Sequence, residues 1–319
     1  MHRLFITSLA FLLSISLISQ NEYSLSFDGI DDYIQLSNPT NFGLSSVTIS
    51  IDCKLNDFGS NEYENYSYIV GVPIKGIYNE QGFKIQTTSQ NSIYGNDGFA
   101  IHVGDNNGLY YDLNYSDNIE IGNWYNLTLV IDRLTDELLF YIDGQVVNSL
   151  TISSSFEDID LGIPISLGIQ SEDLYHNLNG NLDNLHIWNT ALSQEDIEHY
   201  MQCPPMGSES GLVGFWDCDH GDGIIAFDLT DNGNDGTING SSWSTDISDQ
   251  NCVVEGCADE SACNYDSTAT IDDGSCEYYT QPERTSANRR VEQGSCSYMP
   301  EAVDGSWTPY GGITPQCRT

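Results

Sequence analysis

The sequence predicts an all-β fold: an antiparallel jelly-roll β-sandwich with one short helix, followed by a small disulfide-stapled C-terminal module. Between residues 21 and 169, apolar side chains recur at every second position, which is the period of a β-strand with one buried face. Gly, Asn, Asp and Ser separate the apolar runs at short spacing, and no long helical pattern interrupts them. All of the nine cysteines except Cys53 lie after residue 200, so the predicted disulfides belong to the C-terminal part of the chain.

Four segments show the alternation most clearly. Their core-facing residues are Val47, Ile49, Ile51, Cys53 and Leu55 in the first segment, Phe99, Ile101 and Val103 in the second, Tyr125, Leu127, Leu129 and Ile131 in the third, and Leu138, Phe140 and Ile142 in the fourth. The other face of the first segment carries Thr48, Ser50, Asp52 and Lys54, so this strand is predicted to be half-buried. The fourth segment ends at Asp143-Gly144, which predicts a tight hairpin because both turn positions adopt positive φ.

One short helix is predicted after residue 193. Ser193 can cap it, and Asp196 stands three residues later, where a capping box places its acidic partner. Ile197, Tyr200 and Met201 then share one face of the helix, which we expect to lie against the sandwich.

The first residues predict a secretory signal peptide over residues 1–19. His2 and Arg3 give a basic start, and an apolar run follows from Leu4 to Ile18. An uncleaved membrane anchor is the alternative, but the run is short for a bilayer span. We therefore expect a secreted or cell-surface protein with no membrane span once the signal peptide is removed.

The charge of the chain restricts its partners. There are 47 acidic and 9 basic residues, which gives a formal net charge of -38. Such a chain repels phosphate backbones, so nucleic acid is excluded as a partner. Carboxylates are ligands that calcium prefers, so Ca²⁺ is the cofactor we expect, and no motif for an organic cofactor is present.

Six segments, taken in order, resemble the laminin G-like jelly roll of the concanavalin A-like lectin/glucanase superfamily. They are SLSFDGIDDYIQL, VTISIDCKL, NWYNLTLVIDR, LLFYIDGQVV, ISLGIQ and NGNLDNLHIWNTALSQEDI. The resemblance implies a jelly-roll domain over residues 20–252. By analogy with the family, it also implies that the partners are glycans or surface glycoconjugates.

Residues 211–245 resemble a segment that in many family members comes first, just ahead of the SLSFDG-like strand. Here this segment comes last, so it either closes the same sandwich, as a circular permutation would, or opens a second, truncated copy. We favour the closing role because Cys203 and Cys252 bracket the segment, and a disulfide between them would clamp it to the domain.

Residues 253–279 form a separate Cys- and Asp-rich module. The stretch GCADESACNYDSTATIDDGSCEY resembles a short repeat of secreted surface proteins in marine Bacteroidetes-like bacteria. The module is too short for a core of its own, so it needs a covalent staple, and a Cys257–Cys276 disulfide is expected. Residues 280–319 show no periodicity and receive no assignment.

Three acidic groups are candidate calcium ligands. They are Asp28, Asp31 and Asp32 around Gly29, then Asp228, Asp231 and Asp235 in an Asn-rich loop, and Asp259, Asp272 and Asp273 in the small module. Calcium takes six to eight oxygens in loose geometry, which such groups supply in part. The alternative is that these residues are solvated turn formers, since Asp-Gly favours turns.

Candidate ligand-binding residues are aromatic, because aromatic faces stack on sugar rings: Trp124, Trp188, Trp216, Tyr110 and Tyr111. Catalysis is not expected, because the E-x-D-x-x-E strand motif of the superfamily's glucanases is missing. The nearest string is FEDIDLG, where Glu157 and Asp160 stand three apart and so face opposite sides of a strand. The histidines His102, His186 and His220 show no partner signature and are interpreted as surface or sheet-packing residues.

The sequence therefore predicts a secreted, non-catalytic recognition module that binds carbohydrate or adheres to a surface, in part through calcium. Two alternatives from other classes are a glycan-cleaving hydrolase of the same superfamily and a ligand-free spacer of a larger surface protein.

Overall fold

The structure is a computed structural model that describes residues 22–37, 45–59, 66–72, 81–90, 96–159, 164–169, 176–250, 252–253, 255–266 and 269–278. The predicted signal peptide and residues 280–319 lie outside the described residues. The chain divides into two compact units, one of Asn21–Asn251 and one of Met1–Gln20 with Cys252–Thr319. In the described part, the first unit is a sandwich of two antiparallel sheets with one helix, so the predicted fold class is confirmed.

Sheet A has eight strands in the order β10-β9-β8-β3-β12-β1-β16, with β13 also paired to β12. Its strands are β1 (Ser24–Asp28), β3 (Val47–Leu55), β8 (Trp124–Asp132), β9 (Glu137–Ile142), β10 (Gln145–Thr151), β12 (Asn179–Trp188), β13 (Leu212–Trp216) and β16 (Ser242–Ser244).

Sheet B also has eight strands, in the order β14-β15-β2-β11-β4-β5-β6-β7. Its strands are β2 (Tyr33–Leu36), β4 (Tyr68–Gly71), β5 (Gly82–Thr88), β6 (Gly98–Gly104), β7 (Tyr110–Tyr115), β11 (Ser166–Leu167), β14 (Ile225–Ala226) and β15 (Gly236–Asn239).

The core lies between the two sheets and is built by the predicted alternation. Ile49 and Leu129 of sheet A and Phe83, Phe99 and Ile101 of sheet B have no exposed surface, and all belong to one apolar cluster. Each fully buried side chain of this size stabilises the fold by about 1.5–3 kcal/mol. The inward residues of the four predicted strands are therefore confirmed as core, except that Tyr125 is half-buried and packs against the core.

The prediction that β3 is half-buried is wrong, because its outer face is covered as well. Thr48 Oγ1 donates to the Thr190 carbonyl at 2.8 Å and accepts from the Leu192 amide at 2.9 Å. Ser248 Oγ donates to Asp52 Oδ2 at 2.8 Å. The chain after β12 and the chain after β16 thus lie across the outer face of sheet A.

The predicted hairpin and helix are confirmed. Asp143 and Gly144 have φ of 50° and 74°, as the tight turn between β9 and β10 requires. Helix α1 (Gln194–Gln202) begins with a capping box, in which Ser193 Oγ accepts from the Asp196 amide and Asp196 Oδ2 accepts from the Ser193 amide. Ile197 is the buried residue of the helix and packs on sheet A.

Residues 211–245 supply strands to both sheets of the same sandwich. In sheet A, β13 pairs with β12 and β16 pairs with β1. In sheet B, β15 pairs with β2 and β14 pairs with β15. The segment therefore contributes strands to the same sandwich as residues 21–201.

The second unit, within its described residues, is held by a disulfide between Cys257 and Cys276, the pair expected from the sequence. Strands β17 (Glu255–Gly256) and β18 (Ile271–Asp272) form a short parallel pair. Cys203 and Cys252 are each disulfide-bonded, and their pairing with one another stays a prediction. Among the described helical residues, none belongs to a helix long and apolar enough to span a membrane.

Candidate functional site

The acidic corner, defined as Asp28, Asp31 and Asp32, connects β1 to β2. One carboxylate oxygen from each residue lies within 4.8 Å of the other two. The corner is also a turn closed by its own side chains, because Asp28 Oδ1 accepts from the Ile30 amide and Asp32 Oδ2 accepts from the Asp28 amide, both at 2.8 Å. The predicted gathering of these three carboxylates is present in the structure.

Asp32 is the buried member of the acidic corner. Burial raises the pKa of its carboxyl, and the charges of Asp28 and Asp31 add to this effect, although the hydrogen bond from the Asp28 amide opposes it. Gly240, at φ +82°, lies against Asp32 Oδ1, and a Cβ there would overlap that oxygen. The corner is thus packed against the turn between β15 and β16.

The second acidic loop is a structural turn. Asp228 Oδ1 accepts from the Phe215 amide and from both the amide and the hydroxyl of Thr230, and its Oδ2 accepts from the Asn234 amide. Since these contacts occupy both carboxylate oxygens, Asp228 stabilises the loop conformation. Among the described residues, the carboxylates of Asp228, Asp231 and Asp235 are not gathered as those of the acidic corner are.

The two acidic loops also lie apart. Strands β2 and β15 pair antiparallel, with Asn239 opposite Tyr33 and Gly236 opposite Leu36. The acidic corner precedes Tyr33, and Asp235 precedes Gly236, so the two loops stand at opposite ends of this strand pair.

The carboxylates of the small module close local turns. Asp259 accepts from the Ser261 amide and hydroxyl and from the Tyr278 hydroxyl, and these bonds lower its pKa. Asp272 accepts from the Gly274 amide at 2.9 Å, and Asp273 accepts from the Ser275 amide at 2.8 Å. In the described part of the module, these three carboxylates do not form a common cluster.

Two of the predicted binding aromatics are core residues, so their assignment is corrected. Trp188 and Trp216 are each 1% exposed. The Trp188 indole donates to His186 Nδ1 at 2.8 Å, and the Trp216 indole donates to the Asn234 carbonyl at 3.2 Å. Because neither ring has an exposed face, neither can stack on a sugar.

Trp124 and Tyr111 are half-buried and tied into the fold. The Trp124 indole donates to Asp246 Oδ1 at 3.1 Å, and Asp246 also pairs with Lys54 at 2.6 Å. The Tyr111 hydroxyl accepts from the Ser153 amide at 2.7 Å, and its ring packs against the core. Both residues therefore have a structural role.

Tyr110 differs from the other aromatic candidates, because 54% of its surface is exposed. It begins a row that we call the β7 rim: Tyr110, Asp112 and Asn114, which alternate with core-facing residues and share the outer face of sheet B. Asn114 is exposed, and the Asp112 side chain is 32% exposed. The rim thus presents a ring, a carboxylate and an amide about 7 Å apart along one strand.

His102 of β6 packs beside the ring of Tyr110 on the outer face of sheet B. The two rings stack at 5.8 Å between centroids with 26° between their planes, and His102 Nδ1 lies 2.8 Å from Asp112 Oδ1. His102 is 4% exposed although it lies on the outer face opposite Asp112, so it is a covered packing partner of the rim. His102 is a sheet-packing residue, as predicted, but its partner Asp112 was not predicted, although the parity of β6 and β7 around their connecting turn could have placed the two opposite one another.

Asp105 fixes the turn that delivers Tyr110 to the rim. Its Oδ1 accepts from the Asn107 and Leu109 amides at 2.9 and 2.8 Å, and its Oδ2 accepts from the Glu157 amide at 2.9 Å. Asp105 is 1% exposed. Both carboxylate oxygens are used, so the turn between β6 and β7 is held from inside.

A cavity of about 570 Å³ lies beyond the other end of the β7 rim and opens to solvent. Its lining residues are Gln90, Asn96, Asp97, Ser116, Asp117 and Ile119. The Gln90 amide groups of backbone and side chain both donate to the Asp97 carboxylate, at 3.0 and 3.3 Å. The lining offers amide, hydroxyl and carboxylate groups, which are suited to hydroxyl-bearing ligands.

The first two residues of the FEDIDLG string, Phe156 and Glu157, bind the side chain of Arg133. The Arg133 guanidinium donates to the carbonyls of Phe156 and Glu157, both at 2.7 Å, and lies 4.7 Å from the Phe156 ring centre. Asp160 lies outside the described residues.

Comparisons with known proteins agree with this architecture. A family model described as the concanavalin A-like lectin/glucanases superfamily (Laminin G 3) matches residues 28–198, which is more than half of the 319 residues. No curated protein matches the chain.

Several solved structures are similar. One, described as a candidate carbohydrate binding protein of Bacteroides ovatus, has a TM-score of 0.57 and 16% identity, over 72% of this chain and 61% of that chain. The chain therefore spans less than two thirds of that protein, and the likeness shows the fold. A SAP-like pentraxin of Limulus polyphemus has a TM-score of 0.46 and 17% identity, over 62% and 93% of the two chains. The CBM40 of a Ruminococcus gnavus IT-sialidase, bound to α2,3 sialyllactose, has a TM-score of 0.40 and 15% identity, over 54% and 95%.

Proposed function

Because the chain belongs to the concanavalin A-like lectin/glucanases superfamily, we propose that it is a non-catalytic recognition protein that binds carbohydrate at the β7 rim. One fold serves many functions, so the proposal must rest on the site and not on the family. The observation that carries it is the exposed ring of Tyr110, stacked on a buried His102 that Asp112 holds in place.

The physical chemistry of a sugar fits this arrangement. A pyranose ring has an apolar face of C–H groups and a rim of hydroxyls, so it needs a flat apolar surface beside hydrogen-bonding groups. Tyr110 supplies the surface, while the Asp112 carboxylate and the Asn114 amide supply acceptors and donors. Because the stacked His102 fixes the ring of Tyr110, little side-chain entropy is lost on binding.

A glycan array with purified protein tests the proposal. We expect Tyr110→Ala to weaken binding to the best glycan by about thirtyfold, the size of a hot-spot loss near 2 kcal/mol. Tyr265→Ala is the matched control, because Tyr265 is a 41% exposed tyrosine in the other compact unit. Equal binding by Tyr110→Ala and the parent protein would contradict the site. Absence of binding by the parent protein to every glycan would favour the ligand-free spacer.

We further propose that the acidic corner holds Ca²⁺ and that carbohydrate binding depends on it in part. The support is the approach of three carboxylate oxygens to within 4.8 Å, where their mutual repulsion favours a cation. A cation bound only by the folded state raises the melting temperature. We expect a calcium-dependent rise for the parent protein, none for Asp31→Asn, and an unchanged rise for the exposed control Asp231→Asn. An equal rise for Asp31→Asn would place the ion elsewhere.

We also propose that the protein is secreted or lies at the cell surface. It is supported by the Cys257–Cys276 disulfide, since disulfides persist in oxidising compartments. N-terminal sequencing of the exported chain, with a start near residue 20 expected, tests it.

A further inference from the structure

We propose that the ligand of the β7 rim is an uncharged, extended oligosaccharide that runs along β7 from the ring of Tyr110 into the cavity beside Ser116. This inference rests on the proposed carbohydrate binding. It goes further by assigning the cavity as a second subsite and by naming the class of glycan.

Strand β7 leads from the ring of Tyr110 to the cavity. Tyr110, Asp112 and Asn114 share the outer face of sheet B, and Ser116 continues the same parity into the cavity lining. The intervening Leu113 belongs to the core cluster, and Tyr111 and Tyr115 pack against it. A ligand that follows this row therefore passes from the ring to the cavity without crossing the sheet.

The ring of Tyr110 and the cavity are too far apart for one sugar to contact both. Ser116 directly follows the end of β7, six residues after Tyr110, so at about 3.4 Å per residue the ring and the cavity are about 20 Å apart. One sugar ring is no larger than an aromatic side chain and cannot contact both. Only a chain of several sugars can engage the two subsites together.

The negative charge along the row and in the cavity favours an uncharged ligand. The row and the cavity carry carboxylates at Asp97, Asp112 and Asp117, and the described residues that line the cavity include no basic side chain. Lys84 stands opposite His102 on β5, where its ammonium lies 5.3 Å from the Tyr66 ring centre. A carboxylated or sulfated sugar in the cavity would meet like charge, in a chain that already carries -38. Hydroxyl groups, in contrast, can donate to these carboxylates.

The experiment measures the dependence of affinity on chain length and charge. Calorimetry uses neutral β-glucan, xylan and mannan oligosaccharides of one to six sugars, each beside a uronate-containing or sulfated counterpart. We expect the best neutral series to gain about tenfold or more in affinity from one sugar to the longest oligomer, and its charged counterpart to bind more weakly.

A cavity-filling variant separates the two subsites. We expect Ser116→Phe to remove the gain with length, so that long oligomers bind like short ones, while Tyr110→Ala weakens every member of the series. Ser242→Phe, at an exposed serine of β16, is the matched control and should keep the gain. Binding that is complete with one sugar, or tighter binding of the charged series, would overturn the inference while leaving carbohydrate binding intact. Failure of every oligosaccharide would instead count against the proposed function and this inference together.

Discussion

At the scale of single residues, the least expected feature is the buried carboxyl of Asp52. It lies on the outer face of sheet A and accepts from Asn126 Nδ2 at 2.8 Å, Asn184 Nδ2 at 3.2 Å and Ser248 Oγ at 2.8 Å. Burial raises its pKa from 3.8 to about 6 despite these hydrogen bonds. The three donors explain why a charged residue is tolerated where packing excludes water.

The raised pKa of Asp52 predicts a pH dependence of stability. Between its unfolded pKa of 3.8 and its folded pKa of about 6, the folded state binds more protons, so the free energy of unfolding falls as pH rises. We expect the difference in unfolding free energy between the parent protein and Asp52→Asn to fall by about 2 kcal/mol from pH 4 to pH 7. Urea unfolding of both proteins at the two pH values measures it, and a constant difference would contradict this account of Asp52.

At the scale of elements, the turn between β6 and β7 decides where the β7 rim stands. We expect Asp105→Ala to lower the free energy of unfolding by about 2 kcal/mol, because three amides lose their shared acceptor, and to weaken carbohydrate binding. Asp132→Ala, at a more exposed aspartate that ends β8 and caps the following turn, is the control and should leave binding unchanged. Binding that survives Asp105→Ala unchanged, measured beside chemical unfolding, would show that this turn does not position the site.

Some features of the strands and the helix could be predicted from local sequence spacing, and others could not. The inward residues of β3 and the capping box at Ser193 follow from local spacing, so both were predictable. The cover over Thr48 and Asp52 comes from residues 142 and 196 positions away, and no local period records such contacts. The pairing of His102 with Asp112 depends on strand register, which the length of the turn sets.

At the scale of the whole molecule, the last segment of the first unit supplies strands to both sheets of the sandwich. Residues 211–245 place strands beside β1 and β12 in sheet A and beside β2 in sheet B, so the first and last parts of the domain are joined by hydrogen bonds. The β7 rim lies at the other edge of sheet B from β14, the edge strand that this segment contributes. This segment and the proposed binding edge are therefore separate parts of one scaffold.

Carbohydrate binding along the β7 rim is the proposal on which the others depend. Hydrogen–deuterium exchange, with and without the best glycan of the array, tests it most directly because it localises the contact without a mutation. We predict that added glycan slows exchange in residues 105–119 and leaves residues 47–55 and 124–132 unchanged. Slower exchange confined to other strands, with residues 105–119 unaffected by saturating glycan, would contradict it.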